Sequence, residues 1–366
     1  MSINNINILI AGGGTGGHLF PAFAIGDKLE DEGANVTYIG SRYGIEKKYE
    51  KKLKEKLYLL NIKGINRSLG VKPLLNNLVF PIRFIASYIK SIIIINRIKP
   101  EIIIGTGGYS SGIPILAGRL LKIKYVLHEQ NSYPGITTKY LSKKAEKIFI
   151  SYKDMDIQVP NQNRLLTGNP IRQDLIKIDK NKACKELGLN PQKKIIFILG
   201  GSQGSHPMNL FFIDNYRELI NKDIQVIWQT GMLDFENINN LIQNPQIIIK
   251  SFIDNIAIPY SCSDIVISRA GALAIEELKS FNKPMILIPY PNAANNHQKL
   301  NALDLVKNNA AKLIEQDEMN EKLISSIHNL LNNDSERKLI GENAKKLYNS
   351  NSLYLIIKSI KEILSV

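Results

Sequence analysis

One pattern occurs twice in this chain, and it restricts the fold more than any other feature. "ILIAGGGTGGH" (Ile8–His18) and "IFILGGSQGS" (Ile196–Ser205) are each an apolar run that ends in a glycine turn. Such a turn after a strand and before a helix presents backbone N–H groups to a phosphate. Between and beyond them, short apolar runs alternate with longer amphipathic ones: "NVTYIG", "EIIIGTGG", "KYVLHEQN", "KIFISY", "IQVIWQTG", "QIIIKSF", "DIVISRAG" and "PMILIPY". Alternation of this kind predicts α/β architecture, with parallel sheets covered by helices on both faces. At 366 residues, roughly 150 residues per domain suggests two domains. The break is expected near "LLTGNPIRQDL" (Leu165–Leu175), where Gly168 and Pro170 interrupt regular structure.

Two cysteines, Cys184 and Cys262, are too few for a disulfide framework, and no metal-ligand spacing stands out. The polar "SINN" start lacks a signal-peptide pattern, so a reduced, unexported protein is expected. The most apolar stretch, Phe80 to Ile98, is broken by Arg83, Lys90 and Arg97, which argues against a transmembrane helix. The formal net charge is +14. It fits an anionic membrane surface, and equally a general preference for lysine. Nucleic acid is not expected as a partner, because no binding motif or aromatic-basic stripe accompanies the charge.

In an open α/β sheet, ligands gather beyond the carboxyl ends of the strands. There the sequence puts His18, Gly107 and Tyr109, His128 to Asn131, Ser202 and Gln203, and Arg269 to Ala274. Gly12, Gly14 and Gly17 have the G-x-G-x-x-G spacing of a dinucleotide loop, but the ribose-binding acid expected about 20 residues later is missing from "VTYIGSR". Arg42 keeps an NADP oxidoreductase open as an alternative, and a non-catalytic nucleotide-sugar binder is another. The one D-x-D string, Asp154 to Asp156, lies in the run toward the expected break and reads as a solvated loop.

Taken together, "GGGTGGH", "GTGGY", "HEQN", "GNPIR", "GGSQG", "SRAGA" and "NNHQKLNA" resemble the MurG family of bacterial glycosyltransferases, in order from Gly12 to about Ala302. The resemblance implies a GT-B fold, two Rossmann-like domains facing a central cleft. Residues 1–168 would take the acceptor and dock on the membrane, with a C-terminal helix (350–366) packing back on them. Residues 169–349 would take the donor. The implied reaction moves N-acetylglucosamine, with inversion, from UDP-N-acetylglucosamine to undecaprenyl-pyrophosphoryl-N-acetylmuramoyl-pentapeptide (lipid I), giving lipid II for peptidoglycan. No cofactor or metal is implied. The implied location is peripheral, on the cytoplasmic face of the inner membrane, with cell-wall synthesis proteins as further partners.

By the same resemblance, Gly14, Thr15, Gly16, Gly17, Tyr109 and Asn131 would bind the acceptor. Ser202, Gln203 and Gly204 would face the UDP diphosphate. Ile253 would meet the uracil through its backbone, Arg269 would lie near the nucleotide, and Gly271, Leu273 and Ala274 would sit at its phosphate. Glu277 would take the ribose, and Gln298 with Asn301 the sugar. Thr15, Gly16, Gly17, Asn131 and Arg172 would complete the donor contacts. Two departures from the family pattern stand out: Ser205 and His206 follow the second loop where alanine is more usual, and His297 replaces a second glutamine.

The acceptor hydroxyl needs a base, and His18 is the first nominee, since an imidazole titrates near neutrality. Glu129 is the competitor. For docking, Val71–Lys90 offers Leu74, Leu75, Leu78, Val79, Ile82 and Phe84 among Lys72, Arg83 and Lys90, a composition suited to an interfacial patch.

Overall fold

The computed structural model describes residues 3–53, 56–64, 78–153, 155, 163–220 and 223–365. Lys72, Leu74, Leu75, Asp154 and Asp156 lie outside them. The chain divides into two compact units, Met1–Arg172 with Asn349–Val366, and Gln173–Tyr348.

The first unit runs β1 (Asn7–Ala11), α1 (Gly16–Asp31), β2 (Asn35–Ser41), α2 (Glu50–Leu53), β3 (Leu57–Leu60), α3 (Phe80–Ile98), β4 (Ile102–Gly105), α4 (Tyr109–Leu120), β5 (Lys124–Glu129), α5 (Ile136–Leu141), β6 (Lys147–Ile150) and β7 (Arg164–Leu166). Its strands pair in parallel in the order β3-β2-β1-β4-β5-β6-β7. The order reverses between β1 and β4, so the turns after those strands diverge and leave room for a ligand. Ile8, Leu9 and Ile10 are all fully buried, because both faces of the sheet are covered. That is why the strands read as apolar runs and not as alternation.

The second unit runs α6 (Lys180–Leu187), β8 (Lys194–Leu199), α7 (His206–Leu219), β9 (Ile224–Gln229), α8 (Phe235–Leu241), β10 (Ile247–Lys250), α9 (Ala257–Cys262), β11 (Ile265–Ser268), α10 (Ala272–Ser280), β12 (Met285–Leu287), α11 (His297–Lys307), β13 (Lys312–Leu313), α12 (Met319–Asn332) and α13 (Asp334–Lys346). Its parallel order, β10-β9-β8-β11-β12-β13, repeats the first unit's plan with the reversal between β8 and β11.

The last helix, α14 (Ser352–Leu364), belongs to the first unit. Ile356, Ile357 and Ile360 join a core cluster with Ile8, Ile10, Ala22, Ile25 and Leu29. Polar ties fix its register: Ser352 Oγ donates to Gly168 O at 3.1 Å, and Asn349 Nδ2 to Thr167 O at 2.8 Å.

Candidate active site

In the first unit, the turns after β1, β4 and β5 bring residues 12–18, 106–109 and 128–131 to one end of the sheet. α1 begins at Gly16, and its N-cap Thr15 makes no side-chain cap, so the N–H groups of Gly16 and Gly17 have no acceptor within the helix, while His18 N donates to Thr15 O at 3.2 Å. His18 lies on that turn. Its Nδ1 is 3.0 Å from Thr106 O and 3.0 Å from Gln130 Oε1.

Both neighbours are acceptors, so the proton must sit on Nδ1, and the lone pair available for chemistry is on Nε2. The orientation of the Gln130 amide is fixed in turn. Its Nε2 donates to Thr106 O at 2.7 Å and to His128 Nδ1 at 2.9 Å. The His128 proton is therefore on Nε2, facing Gly168 O at 3.4 Å. His128 is fully buried, and burial lowers its pKa to about 4. Thr106 also holds the backbone of the first helical turn, its Oγ1 donating to His18 O at 2.9 Å.

Glu129 has a different place. Only 2% exposed, its carboxylate accepts from Asn131 N at 3.2 Å, Gly135 N at 2.9 Å and Thr138 Oγ1 at 2.6 Å. These bonds tie the turn 131–135 to the start of α5, which makes Glu129 a brace, with Asn131 fastened to it. The Tyr109 ring covers Gly14, and burial raises its phenol pKa. Arg172 stacks its guanidinium 5.1 Å over the Phe20 ring on α1.

In the second unit, the loop Gly200–Gly204 leads from β8 into α7. Gly204 has φ +82°, and any side chain there would strike Thr230 O and Gly231. Ser205, the N-cap of α7, leaves that helix uncapped because its hydroxyl accepts from Arg269 Nε at 3.0 Å and Nη2 at 2.7 Å. Arg269 also donates from Nη1 to Ile288 O and Pro289 O, at 3.2 and 3.0 Å, and from Nη2 to Gln316 Oε1 at 2.6 Å. All five guanidinium N–H bonds are thus used inside the protein. Burial lowers the pKa of this arginine to about 10. Its positive charge stands behind the second glycine turn, and its donors do not point into it.

α10 starts at the uncapped Gly271, which puts Leu273 and Ala274 in an open first turn. Glu277 is buried and accepts from Tyr260 Oη at 3.0 Å. Ile253 N donates to Gln229 Oε1 at 2.9 Å. Gln298 Oε1 accepts from Tyr290 N at 2.9 Å, and Asn301 is fully buried with Nδ2 3.3 Å from Ala270 O. Gln298 and Asn301 thus fasten the turns at 290 and 270. Ser202 and Gly204 are half-buried and Gln203 is exposed at the loop tip.

The two halves match known models: residues 8–150 the glycosyltransferase family 28 N-terminal domain, and residues 195–360 its C-terminal domain. Two proteins named UDP-N-acetylglucosamine–N-acetylmuramyl-(pentapeptide) pyrophosphoryl-undecaprenol N-acetylglucosamine transferase are similar over nearly their whole length. The one from Flavobacterium psychrophilum is 37% identical, covering 96% of each chain. The one from Caldicellulosiruptor saccharolyticus is 36% identical, covering 100% of each. The chain belongs to the MurG family of family 28 glycosyltransferases. In fold it is similar to the crystal structure of Acinetobacter baumannii MurG, with TM-score 0.73, 24% identity, and coverage of 98% of this chain and 99% of that one. The glycosyltransferase CalG4 shares the fold at TM-score 0.68.

Within this MurG-family site, the sequence reading did not give Gln130 its work on His18, although it quoted "HEQN". It also missed Glu46, a fully buried carboxylate under the first glycine turn. Glu46 lies four residues beyond Arg42, past the strand end where a ribose-binding acid is expected.

Proposed function

We propose that this chain transfers N-acetylglucosamine from UDP-N-acetylglucosamine to undecaprenyl-pyrophosphoryl-N-acetylmuramoyl-pentapeptide, the reaction in its relatives' names. The observation that carries the mechanism is the ring of His18. With Nδ1–H held by Thr106 O and Gln130 Oε1, Nε2 is the atom that takes the acceptor hydroxyl's proton as that oxygen attacks the anomeric carbon. The acceptor's diphosphate lies along the amides of Thr15 to Gly17. The donor's lies at the open N-termini of α7 and α10, where fixed N–H dipoles and the charge of Arg269 stabilise the departing UDP. Glu129 holds the acceptor turn in place and takes no proton.

A lipid acceptor requires docking at a membrane. Among the described residues no helix is long and apolar enough to cross one. α3, however, exposes Ile82, Ile85, Ile89 and Ile93 along one side. Nearby, a groove of about 610 Å³ is lined by Leu120, Arg119, Lys122, Lys124 and Lys144 with the single acid Glu146. An apolar stripe beside clustered cations suits an anionic leaflet. Phe84 is not part of the stripe, since its ring stacks on Tyr88 and packs against the core.

The test is UDP release from UDP-N-acetylglucosamine with and without a short-chain lipid I analogue, in EDTA. Release that depends on the analogue is expected. His18→Ala should lower kcat by about 10²–10⁴ with donor affinity retained. Unaltered turnover in that variant would remove His18 as the base.

A further inference from the structure

The first glycine turn is built around a carboxylate of the protein itself. Glu46 lies in a single 3₁₀ turn, Ile45–Tyr49, just past β2. It is fully buried, and its side chain returns beneath the loop. Glu46 Oε2 accepts from Gly14 N at 2.8 Å, and Oε1 from Ser41 N at 2.5 Å. A Cβ at Gly13, Gly40 or Gly44 would strike this side chain. Three glycines therefore leave room for one acid, and Gly13, at φ +139°, also bends the chain toward it. A buried carboxylate persists only when charge-assisted bonds replace its water, and two backbone N–H donors at these distances do so.

We propose that Glu46 is the positioning residue of this loop, and that its carboxylate stands where a dinucleotide fold would admit a phosphate oxygen. In a dinucleotide-binding turn the loop's N–H groups converge on the pyrophosphate. Here the Gly14 N–H is already spent. A diphosphate at this turn is limited to the outer amides, Thr15 to Gly17, and meets a fixed negative charge if it moves deeper. Glu46 thereby selects against a nucleotide pyrophosphate seated deep in the loop, and holds the outer amides in the shape the acceptor requires. The acceptor half of this inference rests on the function proposed above.

The experiment compares wild type with Glu46→Gln and Glu46→Ala, measuring KM for a short-chain lipid I analogue and for UDP-N-acetylglucosamine, and titrating inorganic pyrophosphate by calorimetry. Glu46→Gln keeps the volume but turns an NH₂ group toward one of the two N–H donors. Its acceptor KM should rise about tenfold or more, well beyond any change in donor KM. Glu46→Ala opens the pocket, and pyrophosphate should bind it more tightly than wild type.

A folded Glu46→Gln with unchanged acceptor KM, together with a folded Glu46→Ala that gains no pyrophosphate affinity, overturns the proposal. Gained pyrophosphate affinity with unchanged acceptor KM sustains the carboxylate's place in the loop, and overturns the assignment of the acceptor to it. If neither variant folds, amide exchange in the wild type decides. A slowly exchanging Gly14 N–H supports the proposal, and exchange at the rate of an open loop overturns it.

Discussion

Lowering the pH from 7 to 5 should loosen the first unit through His128. Burial holds this imidazole's pKa at about 4, against an ordinary value of 6.5. Between those values the unfolded chain binds a proton that the folded one refuses, so stability falls as pH falls through 6.5 and levels off only below about 4. Between pH 7 and 5 the linkage amounts to about 2 kcal/mol, large beside a whole-protein stability of about 5–15 kcal/mol. Protonation would also put a hydrogen on His128 Nδ1, which now accepts from Gln130, so the residue that holds His18 would loosen with it. The assay is amide exchange of β1, β4 and β5 at both pH values, corrected for intrinsic rates. The chain's one tryptophan, Trp228, is buried in the second unit, so its fluorescence follows that unit separately. His128→Gln should flatten the pH dependence of the first unit. A variant with the wild-type slope would refute the linkage to His128.

Arg269→Lys offers one ammonium for acceptors spread over Ser205, Ile288, Pro289 and Gln316. The second unit should lose about 2–4 kcal/mol in urea unfolding, and UDP should bind more weakly by calorimetry. Unchanged unfolding would contradict the bracing role. Glu129→Gln puts an NH₂ group against either Asn131 N or the Gly135 N and Thr138 Oγ1 pair. It should cost about 1–3 kcal/mol of stability and leave the pH-rate profile in place, whereas loss of the acid limb with full stability would make Glu129 the base. Ile85→Gln with Ile89→Gln should reduce sedimentation with anionic liposomes without affecting UDP titration. Equal sedimentation would rule out the α3 stripe.

Much of the fold is legible in the sequence because sheet strands buried on both faces leave continuous apolar runs, and "NILIA" and "KIIFIL" need no partner to be recognised. The ends of those strands are legible too, because glycine turns mark them. What the sequence hides is which way a polar side chain turns once the chain closes. Arg269 reads as a nucleotide contact, yet folding spends all five of its N–H bonds on Ser205, Gln316 and two carbonyls. Glu129 reads as a base, yet three donors around it make it a brace. Gln130 sits in a quoted motif, but its function depends on Thr106, 24 residues away, and no local pattern carries that pairing. The same is true of α14, whose attachment at Thr167 and Gly168 joins positions more than 180 residues apart.

The two glycine turns share a strand-turn-helix plan and differ in the charge each keeps inside. Under the first lies Glu46, which takes the Gly14 N–H. Behind the second lies Arg269, whose guanidinium bonds the Ser205 hydroxyl. An anion approaching the second turn meets open helix amides backed by a fixed cation, whose field is less screened by water than a surface charge's because the arginine is 7% exposed. An anion approaching the first meets amides backed by a fixed anion, and is held at the outer ones. The backbone plan makes both turns candidates for phosphate, and the buried partner decides how deep each admits it. Removing these charges should therefore change what each turn admits. Glu46→Ala should ease deep phosphate entry at the first turn, and Arg269→Met should weaken UDP at the second. A pair of variants that left both pyrophosphate and UDP titrations unchanged would show that the backbone alone sets their preference.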